Sequence, residues 1–258
     1  MNAIVERLPR VSLPRIYALE SKHEFLRLLR APQFAVPTLV FPAMFYLLFA
    51  VLFVGRASGG DYHANIYLLA TYGVFGVMAP GLFGFGVSVA FDRDRGWMTL
   101  KRALPMPPGA YLASKLAMAM LFAATIFVTL ALIATTIAGV TLPVAAWSKL
   151  FVVELFGVLP FCAIGLCIGT LVSGQAAPGV INLIYLPMSF LSGLWMPLTI
   201  LPPIVRDIAP LWPAYHLGQL ALSAVGQPSE GATLAHIAAL AAITILFLAV
   251  ARRRLARA

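Results

Sequence analysis

Residues 91–109 read FDRDRGWMTLKRALPMPPG. Asp92, Arg93, Asp94, Arg95, Lys101 and Arg102 fall within eleven residues, the one internal stretch where charges cluster. Long apolar runs flank it on both sides, and each is long enough to cross a bilayer, which takes ~20 residues. A charged segment that ends in prolines between two such runs belongs outside the hydrocarbon. It is the natural place for a soluble partner to press.

The composition carries this reading to the whole chain. Hydrophobic residues make up 61% of the 258 residues and charged residues 10%, against about 25% charged in a soluble domain. The chain is therefore expected to be an all-α integral membrane protein, since helices satisfy every backbone group within one span. The net charge of +9 implies no nucleic-acid partner, because in such proteins the placement of basic residues matters more than their sum. Cys162 and Cys167 lie inside an apolar run at a spacing unlike CxxC, which reads as packing thiols. Residues 1–33 hold six basic residues and no long apolar core, so no cleavable signal peptide is expected.

Working outward, an interfacial helix is expected over about 15–30, opened by Pro14, with Glu20, His23, Glu24, Arg27 and Arg30 on one arc. Six spans are expected at about 34–54, 64–90, 111–140, 149–172, 178–196 and 231–250. The second carries a kink at Pro80-Gly81, and Lys115 snorkels near the start of the third. Gly165 and Gly169 form a GxxxG in the fourth, a motif common by chance in apolar helices. Residues 197–230 hold six prolines; two short helices, about 200–209 and 215–225, are expected to form a re-entrant hairpin. No second domain is evident. Fifteen Lys and Arg fall on one side of this topology and three (Arg56, Lys149, Arg206) on the other. Both termini and the 91–109 loop are therefore expected in the cytoplasm.

Chemistry is sparse. There is no GxxxxGK[ST], no HExxH and no GxSxG. Ser173-Gly174-Gln175 reads as a turn, and His23, His63, His216 and His236 are scattered. His216 is expected to be a hydrogen-bonded packing residue. Glu154 is the main intramembrane acid, read as lying about one turn inside the outer boundary and pairing with Lys149. The chain looks like a translocation body with no energy source of its own. A stand-alone secondary transporter coupled through Glu154 is the alternative.

On these motifs the chain resembles the membrane subunit of an ABC-2 type ABC transporter. The loop Asp92-Arg93-Asp94-Arg95-Gly96, then Leu100, Leu104-Pro105 and Lys115-Leu116, is similar to the family's cytoplasmic loop between spans two and three. Ser192-Gly193-Leu194-Trp195-Met196-Pro197 through Pro213-Ala214-Tyr215-His216 is similar to its outer hairpin. Trp97-Met98-Thr99 departs from the acid that often follows the glycine. The resemblance implies a permease without enzymatic activity in the cell membrane, paired with a second permease copy and two cytoplasmic ATPase subunits that bind ATP and Mg. It implies that Asp92, Arg93, Asp94, Arg95, Gly96, Lys101, Arg102 and Pro105 form the coupling contact, with 173–177 a smaller second one. It implies no cofactor in this chain, and export by alternating access. A path between protomers would be lined from spans two and five by Tyr72, Phe75, Met78, Asn182, Tyr185 and Ser189. Asn182 is the strongest candidate, because a buried amide in lipid requires a partner. Few charges and many aromatics suit an amphipathic or hydrophobic cargo: a drug, a lipid or a lipid-linked molecule.

Overall fold

The computed structural model describes residues 12–54, 62–97, 107 and 109–255, and all regular structure among them is helical. Helix α1 spans Leu13–Leu29, with Pro14 in its first turn, where a missing N–H costs nothing. A single residue pair, Arg30-Ala31, separates it from α2, Pro32–Tyr46, which holds Pro37 and Pro42 and runs on as a π-helical stretch, Leu47–Val54. Then come α3, Tyr62–Ala79, a second π-helical stretch, Pro80–Val87, and α4, Ser88–Asp94. The remaining helices are α5 (Ala110–Thr136), α6 (Val144–Leu171), α7 (Ala177–Leu191), α8 (Pro203–Ile208), α9 (Pro213–Ala224) and α10 (Thr233–Leu255).

Among the described residues, five helical segments are long and apolar enough to cross a membrane: Pro32–Ala50, His63–Asp94, Ala110–Thr136, Val144–Leu171 and Thr233–Arg254. The fifth expected span, α7, has 15 residues, about 22 Å at 1.5 Å per residue, short of a ~30 Å hydrocarbon core. Pro178 opens it, and Ser192-Gly193, with Gly193 at φ +75°, closes it. The second span is longer than expected. It continues through Phe91–Asp94, so the first acid–base pairs form the last turn of a helix rather than a loop. Gly96, at φ +71°, lies just past the helix end, as a left-handed glycine does there.

The expected kink at Pro80-Gly81 is the start of the π-helical stretch. Pro80 cannot donate to the carbonyl four residues back, and the wider winding takes up that loss. This stretch is the innermost part of the bundle, with Pro80, Gly81, Leu82, Gly84, Phe85 and Gly86 all buried. It packs on α6 with almost no side chain between. A Cβ at Gly165 would stand 2.5 Å from the Gly81 carbonyl oxygen, and one at Gly169 would stand 2.6 Å from that of Gly86. The GxxxG is therefore consumed inside the chain. It seats span four on span two, which leaves it unavailable to a second copy.

Between α7 and α10 the chain folds as two short helices, α8 and α9, flanked by single 3₁₀ turns at Leu198–Ile200 and Ala209–Leu211. Helix α9 is the buried one. Tyr215, Leu217, Leu220 and Ala221 pack into the bundle, and a Cβ at Gly157 on α6 would overlap Leu217. Cys162 and Cys167 are buried free thiols within α6.

A charged clasp and an aromatic cluster as candidate functional sites

The sequence spaces polar residues one turn apart on three helices at one end of the bundle: Glu24 and Arg27 on α1, Ser88 and Asp92 on α4, Tyr111 and Lys115 on α5. Residues three or four apart share a helix face, and here the three faces meet. Lys115 is 1% exposed. Its ammonium reaches Glu24 Oε1 at 2.7 Å, Ser88 Oγ at 2.8 Å and Asp92 Oδ2 at 2.9 Å, so all three of its protons have an acceptor. Tyr111 donates to Asp92 Oδ2 at 2.8 Å. Arg27 contacts Glu24 at 2.7 Å and lies 3.5 Å from Asp92 Oδ1. Two acids and two bases thus close a neutral clasp. Lys115 does not snorkel outward, as the sequence suggests; the buried Asp92 and the half-buried Glu24 carboxylates hold it inside. Glu24 is the member that the sequence could not supply, because it lies 91 positions away.

The other charges of the 91–109 segment divide by direction. Arg93 donates to the carbonyls of Gly169, at 3.2 Å, and Val172, at 2.7 Å. It thereby caps the C-terminal end of α6, where a cation also complements the helix dipole. Asp94 accepts the Gly174 N–H at 2.7 Å. That bond joins the end of α4 to the short turn at 173–176, and the Phe91 ring lies over Gly174 so closely that a Cβ there would meet it at 2.6 Å. Arg95 stacks over Phe91, 5.2 Å from the ring centre. Arg95 and Trp97 face outward beside the exposed Ser173 and Gln175. The two expected partner contacts are therefore one continuous surface. Lys101, Arg102 and Pro105 lie outside the described residues.

The path candidates converge only in part. Tyr72, Phe75 and Tyr185 belong to one aromatic cluster with Phe45, Phe49 and Trp195. The Phe75 and Tyr185 rings are 5.1 Å apart, Phe45 and Trp195 5.6 Å, and Phe45 and Tyr72 6.3 Å. Tyr185 donates to the Phe75 carbonyl at 3.1 Å, which pins α7 to α3. Met78 and Ser189 are buried nearby in sequence on the same helices, and Ser189 donates to the Tyr185 carbonyl at 2.6 Å. Asn182 stands apart. It is on the exposed face of α7 with Leu183, Leu186 and Phe190, so the buried amide that the sequence suggested is a surface amide in this chain.

Glu154 also lies elsewhere than expected. Helix α6 begins at Val144, so Glu154 is ten residues inside it rather than one turn from the boundary. It is fully buried, and its carboxyl fills the notch left by Gly73, where any Cβ would overlap it. Its Oε2 has no hydrogen-bond partner among the described residues. Lys149, five residues away, points off to the exposed side and forms no ion pair among them; helical neighbours are three or four apart, not five.

Where α9 meets α10 lies a pair that the sequence did not announce. His216 Nδ1 on α9 lies 2.9 Å from His236 Nδ1 on α10. Each ring turns its Nε2 to a carbonyl, Pro210 at 2.9 Å and Glu230 at 2.6 Å. Carbonyls only accept, so both Nε2 atoms must carry hydrogen. The Nδ1–Nδ1 bond then forms when one ring holds one additional proton. His216 is a hydrogen-bonded packing residue, as expected, but a shared one. Its partner, 20 positions away on another helix, gives no signal, because a lone histidine in an apolar helix has no recognisable partner.

Comparison with known proteins agrees with this architecture. The family model for the ABC-2 type transporter matches residues 18–225. A Bacillus subtilis (strain 168) protein named "Putative transport permease YvfS" is 28% identical over 200 residues, covering 77% of this chain and 81% of its own. Five membrane-length helices, the charged turn after the second and the family match over most of the chain lead to one conclusion: the protein belongs to the ABC-2 type transporter family and is a membrane transport permease.

Proposed function

We propose that the chain is the membrane subunit of an ATP-driven exporter. Two copies assemble with two cytoplasmic ATPase subunits, and ATP and Mg bind to those partners. The observation that carries this reading is the single outward surface made by Arg95, Trp97 and the 173–176 turn. Arg93 and Asp94 fasten it to α6, and the clasp behind it fastens α4 to α1 and α5. A soluble subunit that pushes there moves three helices as one. The fifteen-to-three distribution of Lys and Arg supports placing that surface, and both termini, in the cytoplasm. The α8–α9 hairpin then dips into the outer leaflet. The exposed α7 face, with Asn182 at its centre, meets the second copy, where the amide finds the partner that it lacks in one chain. The aromatic cluster behind it suits an amphipathic or hydrophobic cargo.

The test is co-purification with an ATPase that carries a GxxxxGK[ST] loop, followed by ATP hydrolysis in lipid. Arg95→Glu should leave the permease folded and cut transporter-dependent hydrolysis several-fold. A folded permease that assembles with no nucleotide-binding subunit sinks the reading. The alternative is ion coupling through Glu154, favoured by its complete burial and unpartnered Oε2. In that case Glu154→Gln abolishes a pH-gradient-driven flux that needs no ATP.

A further inference from the structure

A groove of about 920 Å³ runs along the outside of the bundle between α6, α9 and α10. It has nothing to do with the coupling surface or the aromatic cluster. Its floor is apolar: Val153, Gly157, Leu217 and Leu240 lie at its base, with Val152 and Phe156 along one wall. Most of its polar lining lies toward one end, with Ser148 and Lys149 from α6, Ser223 from α9 and Thr233 from α10, while Thr244 stands near the other and donates to the Leu240 carbonyl. Along α6 it extends from Ser148 to Pro160 and along α10 from Thr233 to Ile245. Both distances come to about 18 Å at 1.5 Å per residue, close to the ~15 Å hydrocarbon depth of a single leaflet. Lys149 is exposed, and its ammonium has neither an ion pair nor a hydrogen bond among the described residues.

From these dimensions and this charge pattern we infer that the groove is a binding site for one anionic phospholipid of a single leaflet. The acyl chains lie against Val152, Phe156 and Leu240, and the phosphate meets Lys149. Three features distinguish this from ordinary contact with bulk lipid. The groove is concave and walled by three helices, so it offers an acyl chain contact on more than one side. Its length stops near the depth where a single leaflet ends. It carries one uncompensated cation at the level of a headgroup, where a basic residue is attracted to negatively charged lipid. A bound lipid would also tie the hairpin helix α9 to α10, since both form its walls.

The experiment uses the full-length chain in detergent, offered dioleoyl phosphatidylglycerol or dioleoyl phosphatidylcholine, with bound lipid counted by native mass spectrometry and stability followed by thermal melting. Wild type should retain one phosphatidylglycerol per chain in preference to phosphatidylcholine and melt at a higher temperature with it. Lys149→Glu, at an exposed position, should lower phosphatidylglycerol retention about fivefold, the factor for one basic residue at an anionic surface. Ala241→Trp, which fills the groove, should lose both lipids. Equal phosphatidylglycerol retention by wild type and a normally folded Lys149→Glu overturns the site. So does efficient cross-linking between copies through Ile237→Cys, which would make a second chain the occupant.

Discussion

Lys115 has a charged end with three donors and a buried position with three acceptors, and its role follows from that match. Removing it leaves Glu24 and Asp92 close together with only the partly exposed Arg27 to offset them. Breaking a buried ion pair from one side costs about 3–5 kcal/mol, more than the contribution of any exposed pair in this chain. Lys115→Met is therefore expected to lower the thermal midpoint in detergent by well over ten degrees or to prevent folding. Adding Asp92→Asn to it, which removes one of the two stranded acids, should restore part of the loss. An unchanged midpoint in Lys115→Met would mean that the clasp is open in the membrane-embedded protein. Much of this was legible at the level of residue identity. Asp92, Arg93, Asp94, Arg95 and Lys115 stand out in an apolar sequence. Their directions were not legible. A run of charges reads as a solvated surface, and only the fold shows that Asp92 turns inward and Arg93 caps α6 while Arg95 faces out.

Helices meet here in two ways, backbone on backbone and side chain on side chain. The π-helical stretch and α6 use the first, through Gly81, Gly86, Gly165 and Gly169. Helices α9 and α10 use the second, through the histidine pair. Burial, and after it the neighbouring His236, hold His216 below the usual histidine range. A depressed histidine contributes stability that is present above its unfolded value of about 6.5 and is lost as the pH falls. One shared proton closes the pair, and a second forces the two rings apart. The Tyr215 ring lies edge-on to both imidazoles, and its hydroxyl donates to the Glu230 carboxylate at 3.0 Å. The protection of α9 amides, taken relative to their intrinsic exchange rates, is therefore expected to fall as pH drops from about 6.5 toward 5, and His216→Leu should flatten that dependence. Helix existence was readable from hydropathy and proline placement, including Pro14, Pro80 and the broken hairpin. Helix ends were not. Amphipathic turns such as Phe91–Asp94 and Val144–Ser148 continue a helix where an apolar count stops, and that shift moved Glu154 from the rim to the interior.

At the scale of the whole molecule, the two faces of α7 differ sharply. Helix α7 buries Ile181, Tyr185, Met188 and Ser189 and exposes Leu183, at 76%, with Leu186 and Phe190. If a second copy meets this face, Leu183→Cys should form an oxidised dimer in native membranes at high yield. Only monomer under the same oxidation would place the contact elsewhere. Five of the six expected spans are matched by membrane-length helices among the described residues, and their apolar runs made them legible. The exception is α7, which the sequence extends to Met196 and the fold ends at Leu191, where Gly193 turns the chain.

The clasp at the base of α4 holds two negative and two positive charges, and they sum to zero. A charge that crosses the full membrane potential exchanges about 2.3 kcal/mol per 100 mV with it, which is enough to throttle or drive a helix movement. Glu24, Arg27, Asp92 and Lys115 move together or not at all, so their displacement does almost no electrical work. The clasp itself can therefore shift in an energised cell as freely as in a de-energised one, and the potential acts only on the charges around it, such as Arg93, Asp94 and Arg95.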